Sequence, residues 1–239
     1  NSGIGKATAI LFAKEGADLV LCARRKEALD EVAEECRKYG VQVVTVKADV
    51  SSHEDCSAVV KAAVDTFGKV DILVNNAGVL GASMPNAREE EFDRVIDTNL
   101  KGVFFLSQLF GKYMKENKIT GNILNVGSSS CLRPAISAYT LSKWGIRGLT
   151  LGLAKSLAPY GITVNGIAPG PTATPMLLKD DLNNITNNGN PIGRYALPEE
   201  IANMAVILVS PMGQTIVGDM VYMTGGAGVV TNDDIEYVF

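Results

Sequence analysis

What most constrains this chain is an alternation, kept up almost from end to end, of short apolar runs with longer stretches of helical periodicity. Residues 17–22, 41–46, 71–75, 122–126, 162–167 and a last run near 220–223 have the length and composition of strands. Strands that are apolar on both faces belong to a sheet covered on both sides, whereas a sheet with one wet face shows a two-residue alternation. Between them lie helical patterns at about 6–15, 26–39, 52–67, 88–116 (one long helix or a helix pair), 138–159 and 198–209. Strand–helix alternation with right-handed crossovers builds a doubly wound parallel sheet with helices on both faces. No linker, repeat or low-complexity tract interrupts the pattern, so residues 1–239 read as a single α/β domain.

Charge and cysteine usage narrow the function. A net charge of -4 and a pI near 5.2 disfavour nucleic acid as a partner, because phosphate binding needs a basic face. No run of 18 or more uncharged apolar residues exists, so no membrane partner is expected. Cys22, Cys36, Cys56 and Cys131 show no C-x-x-C pair and no zinc spacing, which implies reduced thiols and a cytoplasmic location. The one histidine, His53, reads as a solvated residue in the first turn of a helix, and no metal site is expected.

The chain opens with N-S-G-I-G-K, already inside what reads as a turn from strand to helix, without an initiator Met or targeting segment. The first strand of the sheet and the first glycine of that turn are therefore expected to be missing. Such a loss would leave a hole in the sheet. Gly3 and Gly5 stand just before the helical run 6–15, where bare backbone and free N–H groups can receive a phosphate. A strand follows, and its end is where a dinucleotide fold reads the adenosine ribose. That end carries Arg24 and Arg25, not an acid. Guanidinium forks suit a 2′-phosphate, so NADP(H) is preferred over NAD(H), which remains possible.

Tyr139 and Lys143 lie one helical turn apart on one face. A phenol has a pKa near 10, and a neighbouring ammonium is expected to lower it so that the phenol can exchange a proton with a carbonyl or carbinol oxygen. Upstream, a strand runs out into Gly127, Ser128, Ser129 and Ser130, which places hydroxyls at the carboxyl edge of the sheet. One of them can hydrogen-bond the substrate oxygen, and all three remain candidates.

Together, Gly3-Ile4-Gly5, Asp49-Val50, Asn75-Asn76-Ala77-Gly78, Asn99, the serine run, Tyr139 with Lys143, and Pro169-Gly170 resemble the short-chain dehydrogenase/reductase family, in its order and over essentially the whole chain. Within that family the chain resembles 3-oxoacyl reductases and hydroxysteroid dehydrogenases. The resemblance implies a Rossmann fold and a catalytic set of Asn99, Ser128, Tyr139 and Lys143. It further implies cofactor contacts from Ser2, Gly3, Ile4, Gly5, Arg24, Arg25, Asp49, Val50, Asn75, Ala77, Gly78, Tyr139, Lys143, Pro169, Gly170, and Thr172 or Thr174. Asn99 would hold a helix irregularity and a water leading to Lys143. Two departures stand out. Ser128 precedes Tyr139 by 11 residues, slightly closer than is usual, and Thr224 takes a place before two glycines where many relatives carry an acid.

Residues 174–192 occupy the family's substrate-lid position, with Met176, Leu177 and Leu178 as an apolar wall and an asparagine-rich stretch at 183–190. A lid does not name its substrate: a 3-oxoacyl thioester, a hydroxysteroid or bile acid, and a small ketone or sugar all fit. Residues 103–109 and 149–157 are more apolar than one-sided burial requires, which points to a homodimer or homotetramer. The leading expectation is thus an oxidoreductase interconverting a secondary alcohol and a ketone. A nucleotide-binding regulator without turnover and a sugar-nucleotide epimerase or dehydratase are the alternatives.

Overall fold

Each of the predicted apolar runs forms a strand, and every strand pairing is parallel. The computed structural model describes residues 2–178 and 184–228. Its order is α1 (Gly3–Lys14), β1 (Leu19–Ala23), α2 (Lys26–Arg37), β2 (Val43–Lys47), α3 (His53–Phe67), β3 (Ile72–Asn75) and α4 (Glu89–Ile96). A π turn (Asp97–Lys101) leads into α5 (Gly102–Glu116), then β4 (Asn122–Val126), a 3₁₀ turn (Ser129–Leu132) and α6 (Ala138–Leu157). The chain continues through β5 (Thr163–Pro169), α7 (Pro175–Leu178), α8 (Pro198–Val209) and β6 (Met220–Met223).

The helix ends follow from local chemistry. The Ser52 hydroxyl accepts from the Asp55 amide at 3.2 Å to start α3, and Gly68 ends it in the left-handed region at φ 72°. The Ser137 hydroxyl starts α6 in the same way, accepting from the Thr140 amide at 3.2 Å. At α8 the Glu200 carboxylate accepts from the Leu197 amide at 2.7 Å and from both arms of Arg194 at 2.8 and 2.9 Å. That fork and the amide hold the Glu200 carboxyl at about 2.

Two core layers flank the strands, as the both-sided apolar runs require. Phe12 and Ala13 of α1 pack with Ile201, Ala205 and Leu208 of α8 against Leu124 and Ile167. On the other face Leu106, Phe110 and Met114 of α5 and Leu157 of α6 meet Ile123 and Val164. Each such side chain contributes about 1.5–3 kcal/mol of transfer free energy, the main reason the layers close.

The hydrogen-bonded ladder falls into two parts, β1–β2 and β3–β4–β5–β6. Between them the edges of β1 and β3 face a common cavity. The long helical pattern at 88–116 resolves into a helix pair joined by the π turn, and the polar stretch after residue 172 contains the short α7. His53 is exposed at the first position of α3, its ring edge-on to Phe105 at 4.8 Å. Within the expected lid, residues 179–183 lie outside the described residues.

Candidate active site

The carboxyl ends of the strands open onto a cavity of about 1230 Å³ that continues down between β1 and β3. Its wall brings together Ser2, Gly3, Ile4, Gly5, Arg24, Arg25, Asp49, Val50, Asn75, Ala77, Gly78, Ser128, Tyr139, Lys143, Pro169, Gly170, Thr172 and Thr174. Among the residues expected at the site, Asn99 is not part of the wall. It stands behind it.

At one end lies the turn into α1. Gly3 sits at φ 52°, a left-handed conformation that side chains disfavour, and a Cβ there would lie 2.9 Å from Thr174 Cγ2. A Cβ on Gly5 would lie 2.4 Å from Asn76 Nδ2. The turn is therefore bare backbone held between two side chains. Ser2 makes no side-chain cap and the first turn of α1 has no acid, so the positive end of the helix is not neutralised locally. A pyrophosphate fits this cradle.

At the end of β1, Arg24 and Arg25 are exposed on the cavity wall. The Arg24 guanidinium stands 3.8 Å from an Asp49 carboxylate oxygen. Burial works against the charge on Asp49, but the Ser51 hydroxyl and amide, with Arg24 adding to them, hold its carboxyl below the usual range. Lys26, next in sequence, is committed elsewhere: its ammonium bonds Asp30 at 2.5 Å and Thr45 at 2.8 Å.

At the other end are the hydroxyls. Ser128 precedes the 3₁₀ turn, and its Oγ accepts from the Ser130 amide at 3.1 Å. Among the three serines, Ser128 is the one that acts on Tyr139: burial pushes the phenol above its ordinary value, and Ser128 as a hydrogen-bond partner pulls it back down. The expected lowering by Lys143 is not what this arrangement produces. The ammonium lies 5.7 Å from the centre of the Tyr139 ring and donates to the Val126 carbonyl at 2.9 Å. Burial lowers Lys143 itself to about 8. Desolvation raises the phenol and lowers the amine, because it penalises the charged form of each.

Asn99 occupies the π turn, fully buried. Its Oδ1 accepts from the Val79 amide at 2.8 Å, and its Nδ2 donates to the Val79 carbonyl at 3.0 Å and to Ser142 Oγ at 3.2 Å. A helix irregularity is thus tied both to the loop after β3 and to the residue before Lys143.

Some of what shapes the site escapes a reading by sequence. Asn76 belongs to the quoted Asn-Asn-Ala-Gly run, but only the structure puts its amide over Gly5. Asn75 Nδ2 donates to Ser107 Oγ at 3.0 Å and to Asn125 Oδ1 at 2.9 Å, and Asn125 in turn donates to Thr150 at 3.0 Å. This buried relay ties β3, β4, α5 and α6 together beneath the cavity. Asn75 Oδ1 is left without a partner among the described residues. Polar residues within apolar runs are the available signal for it, because a buried amide has to find partners across elements.

A family model described as enoyl-(acyl carrier protein) reductase matches residues 1–228. The chain belongs to the short-chain dehydrogenase/reductase family. It is 36% identical over 230 residues to the 3-oxoacyl-(acyl-carrier-protein) reductase of Thermotoga maritima, covering 94% of this chain and 93% of that one. The Staphylococcus aureus protein of the same name is 35% identical over 230 residues, with the same coverage. Among solved structures, levodione reductase superposes with a TM-score of 0.89 at 33% identity, over 96% of this chain and 95% of its own. The 3-ketoacyl-(acyl-carrier-protein) reductase of Brucella melitensis, complexed with NADH, gives 0.85 at 35% over 95% and 94%. Actinorhodin polyketide ketoreductase with NADPH gives 0.87 at 34%, over 95% of this chain and 94% of its own. This short-chain dehydrogenase/reductase therefore has the Rossmann architecture and is an oxidoreductase of carbonyl and hydroxyl groups that depends on a nicotinamide dinucleotide. Among its described residues no helix is long and apolar enough to cross a membrane.

Proposed function

We propose that this protein uses NADP(H) to interconvert a secondary alcohol and a ketone, with Tyr139 as the acid–base residue and Lys143 as its partner. The observation that carries the reading is one wall shared by the phosphate turn, the arginine pair, and the Ser128, Tyr139 and Lys143 side chains. Bound there, the cofactor supplies or accepts the hydride at its nicotinamide carbon. The residues to hold it are Ser2–Gly5 at the pyrophosphate, Arg24 and Arg25 at the 2′-phosphate, and Asp49 and Val50 at the adenine. Asn75, Ala77, Gly78, Pro169, Gly170, Thr172 and Thr174 line the groove between.

Tyr139 donates its proton to the ketone oxygen during reduction and takes one from the carbinol during oxidation. A phenol held above its ordinary pKa by burial is protonated at neutral pH, the form that can donate to a ketone oxygen. Ser128 orients the same oxygen. Lys143 serves the ribose and the tyrosine, and a buried amine near 8 exchanges its proton readily at neutral pH. Asn99 is a positioning residue that acts through Ser142 and Val79.

Both NADH and NADPH appear among the structural neighbours, so the coenzyme preference rests on Arg24 and Arg25 and the lack of an acid at the end of β1. The 3-oxoacyl relatives put acyl thioesters first among substrates, ahead of hydroxysteroids and small ketones. Residues 1–239 act as one domain, with 174–192 as the lid and the exposed Met176 and Leu177 facing the cavity. A cytoplasmic location is supported by four unpaired cysteines. A homo-oligomer is supported by Phe104 on α5 and Leu141, Trp144 and Leu151 on α6, all exposed.

The test is a fluorescence titration with NADPH and NADH, followed by cofactor absorbance against a panel of ketones, acyl thioesters and steroids. Tighter NADPH binding with turnover of one ketone class is expected. Binding without turnover of any class would refute the catalytic reading, and no binding of either coenzyme would refute the cofactor site.

A further inference from the structure

We propose that Ser130 and Arg133 form a subsite for an oxyanion, so that the preferred ketone carries a carboxylate or phosphate on an otherwise apolar body. The inference rests on the assignment of Ser128 and Tyr139 to the carbonyl. Both residues of the subsite line the same cavity, on the segment that runs from Ser128 to the start of α6. The Arg133 amide bonds the Ser130 carbonyl at 3.1 Å, which fixes the arginine's backbone just past the 3₁₀ turn.

The arginine's backbone is fixed, and no described carboxylate takes up its charge. Its carbonyl accepts from Trp144 Nε1 at 2.9 Å, one residue past Lys143. Its guanidinium lies over the backbone of Gly228, where a Cβ would stand 3.5 Å from Nε and 3.6 Å from Nη2. Among the described residues no carboxylate lies within ion-pair distance of it, and the Ser130 hydroxyl makes no side-chain hydrogen bond. The carboxylates on the cavity wall are Asp18, Asp49 and Asp71, which flank β1, β2 and β3. The same cavity is lined from α7 by the exposed Met176 and Leu177. A hydroxyl and a guanidinium on one cavity wall, on the segment just past Ser128, match an acidic ketone.

The experiment compares a series of keto acids with their methyl esters, and a matched series of keto phosphonates with their dimethyl esters. The first pair reads a carboxylate and the second a phosphate. The full chain should prefer one of the two anionic forms by about tenfold in kcat/KM, mostly through KM, as a charged hydrogen bond at a half-open site gives. Arg133→Gln should erase that preference and leave the neutral ester within about twofold. Arg133→Lys should keep part of it and Arg133→Glu should reverse it. Equal losses for charged and neutral substrates in Arg133→Gln, or no preference in the unaltered protein, would overturn the subsite while leaving ketone reduction intact. Calorimetric binding of the keto acid separates the other failure. Arg133-dependent binding without turnover of any ketone would keep the anion site and refute the reaction.

Discussion

Lys143→Met is expected to make the protein more stable at pH 7 and less stable at pH 10.5, while abolishing turnover. Burial lowers the folded-state pKa of Lys143 from 10.5 to about 8. At about 1.4 kcal/mol per pKa unit, that displacement corresponds to about 3 kcal/mol of folding penalty for the charged form. The sign follows from proton counting. Between pH 8 and 10.5 the unfolded chain keeps the lysine proton and the folded one has released it, so native stability rises with pH across that window. Below 8 the penalty is present in full. Methionine of similar length removes it but also deprives the Val126 carbonyl of its 2.9 Å donor, a loss of about 1–2 kcal/mol. The net expectation at pH 7 is therefore a gain of about 1–2 kcal/mol, turning into a loss of similar size near pH 10.5. Urea denaturation followed by circular dichroism, on both proteins from pH 6.5 to 10.5, measures the difference curve directly. Titrating groups that do not interact with Lys143 cancel in that difference. A flat curve would show that Lys143 keeps its proton in the folded state and that burial is not what sets its pKa. A gain at neutral pH with no turnover would identify a charge kept for chemistry at the expense of stability.

Four further expectations follow from the site. Tyr139→Phe should lose turnover by at least about a thousandfold, the upper range for a general acid, with NADPH titration unchanged; substantial remaining activity would remove Tyr139 from the mechanism. Changing Arg24 and Arg25 to Ala should weaken NADPH by tenfold or more, about the worth of a charged hydrogen bond, and NADH hardly at all; an equal effect on both would refute the 2′-phosphate role. Asn99→Ala should cost about 3 kcal/mol in urea denaturation, because it orphans the amide and carbonyl of Val79 together, and a change under about 1 kcal/mol would mean the π turn stands without it. Gly5→Ala should leave α1 folded but push Asn76 aside and weaken both coenzymes alike; unaltered binding would show that the turn does not hold the pyrophosphate.

Periodicity carried most of the fold. The bounds of β4, α8 and β6 coincide with the apolar runs and helical pattern read from sequence, because all three are buried against neighbours and burial is what the pattern encodes. The runs at 17–22 and 41–46 each extend one residue further as β1 and β2, a shift that turn chemistry decides and hydropathy does not. The helix pair was legible as an ambiguity at 88–116. Its resolution depends on Asn99, whose side chain satisfies Val79 from 20 residues away and stabilises an irregularity that no local propensity demands.

The site was legible as a set of residues, less so in its electrostatics. Tyr-x-x-x-Lys spacing places a phenol and an ammonium on one helix face, and the inference that the cation acidifies the phenol is sound for two solvated groups. In the folded chain both are desolvated, and the ammonium turns to a main-chain carbonyl at the end of β4 instead of to the phenol. Spacing fixes which groups can meet. The dielectric around them and the competing partners that fold back from other strands decide what charge each one holds. The same distinction separates Arg24 from Arg133. One arginine could be named from sequence because it follows the predicted strand that becomes β1. The other, on a loop with no motif, gains its meaning only from the cavity it lines and from the absence of an acid beside it among the described residues. A test of Arg133 is thus a test of whether charge placement, independent of motif, specifies a substrate.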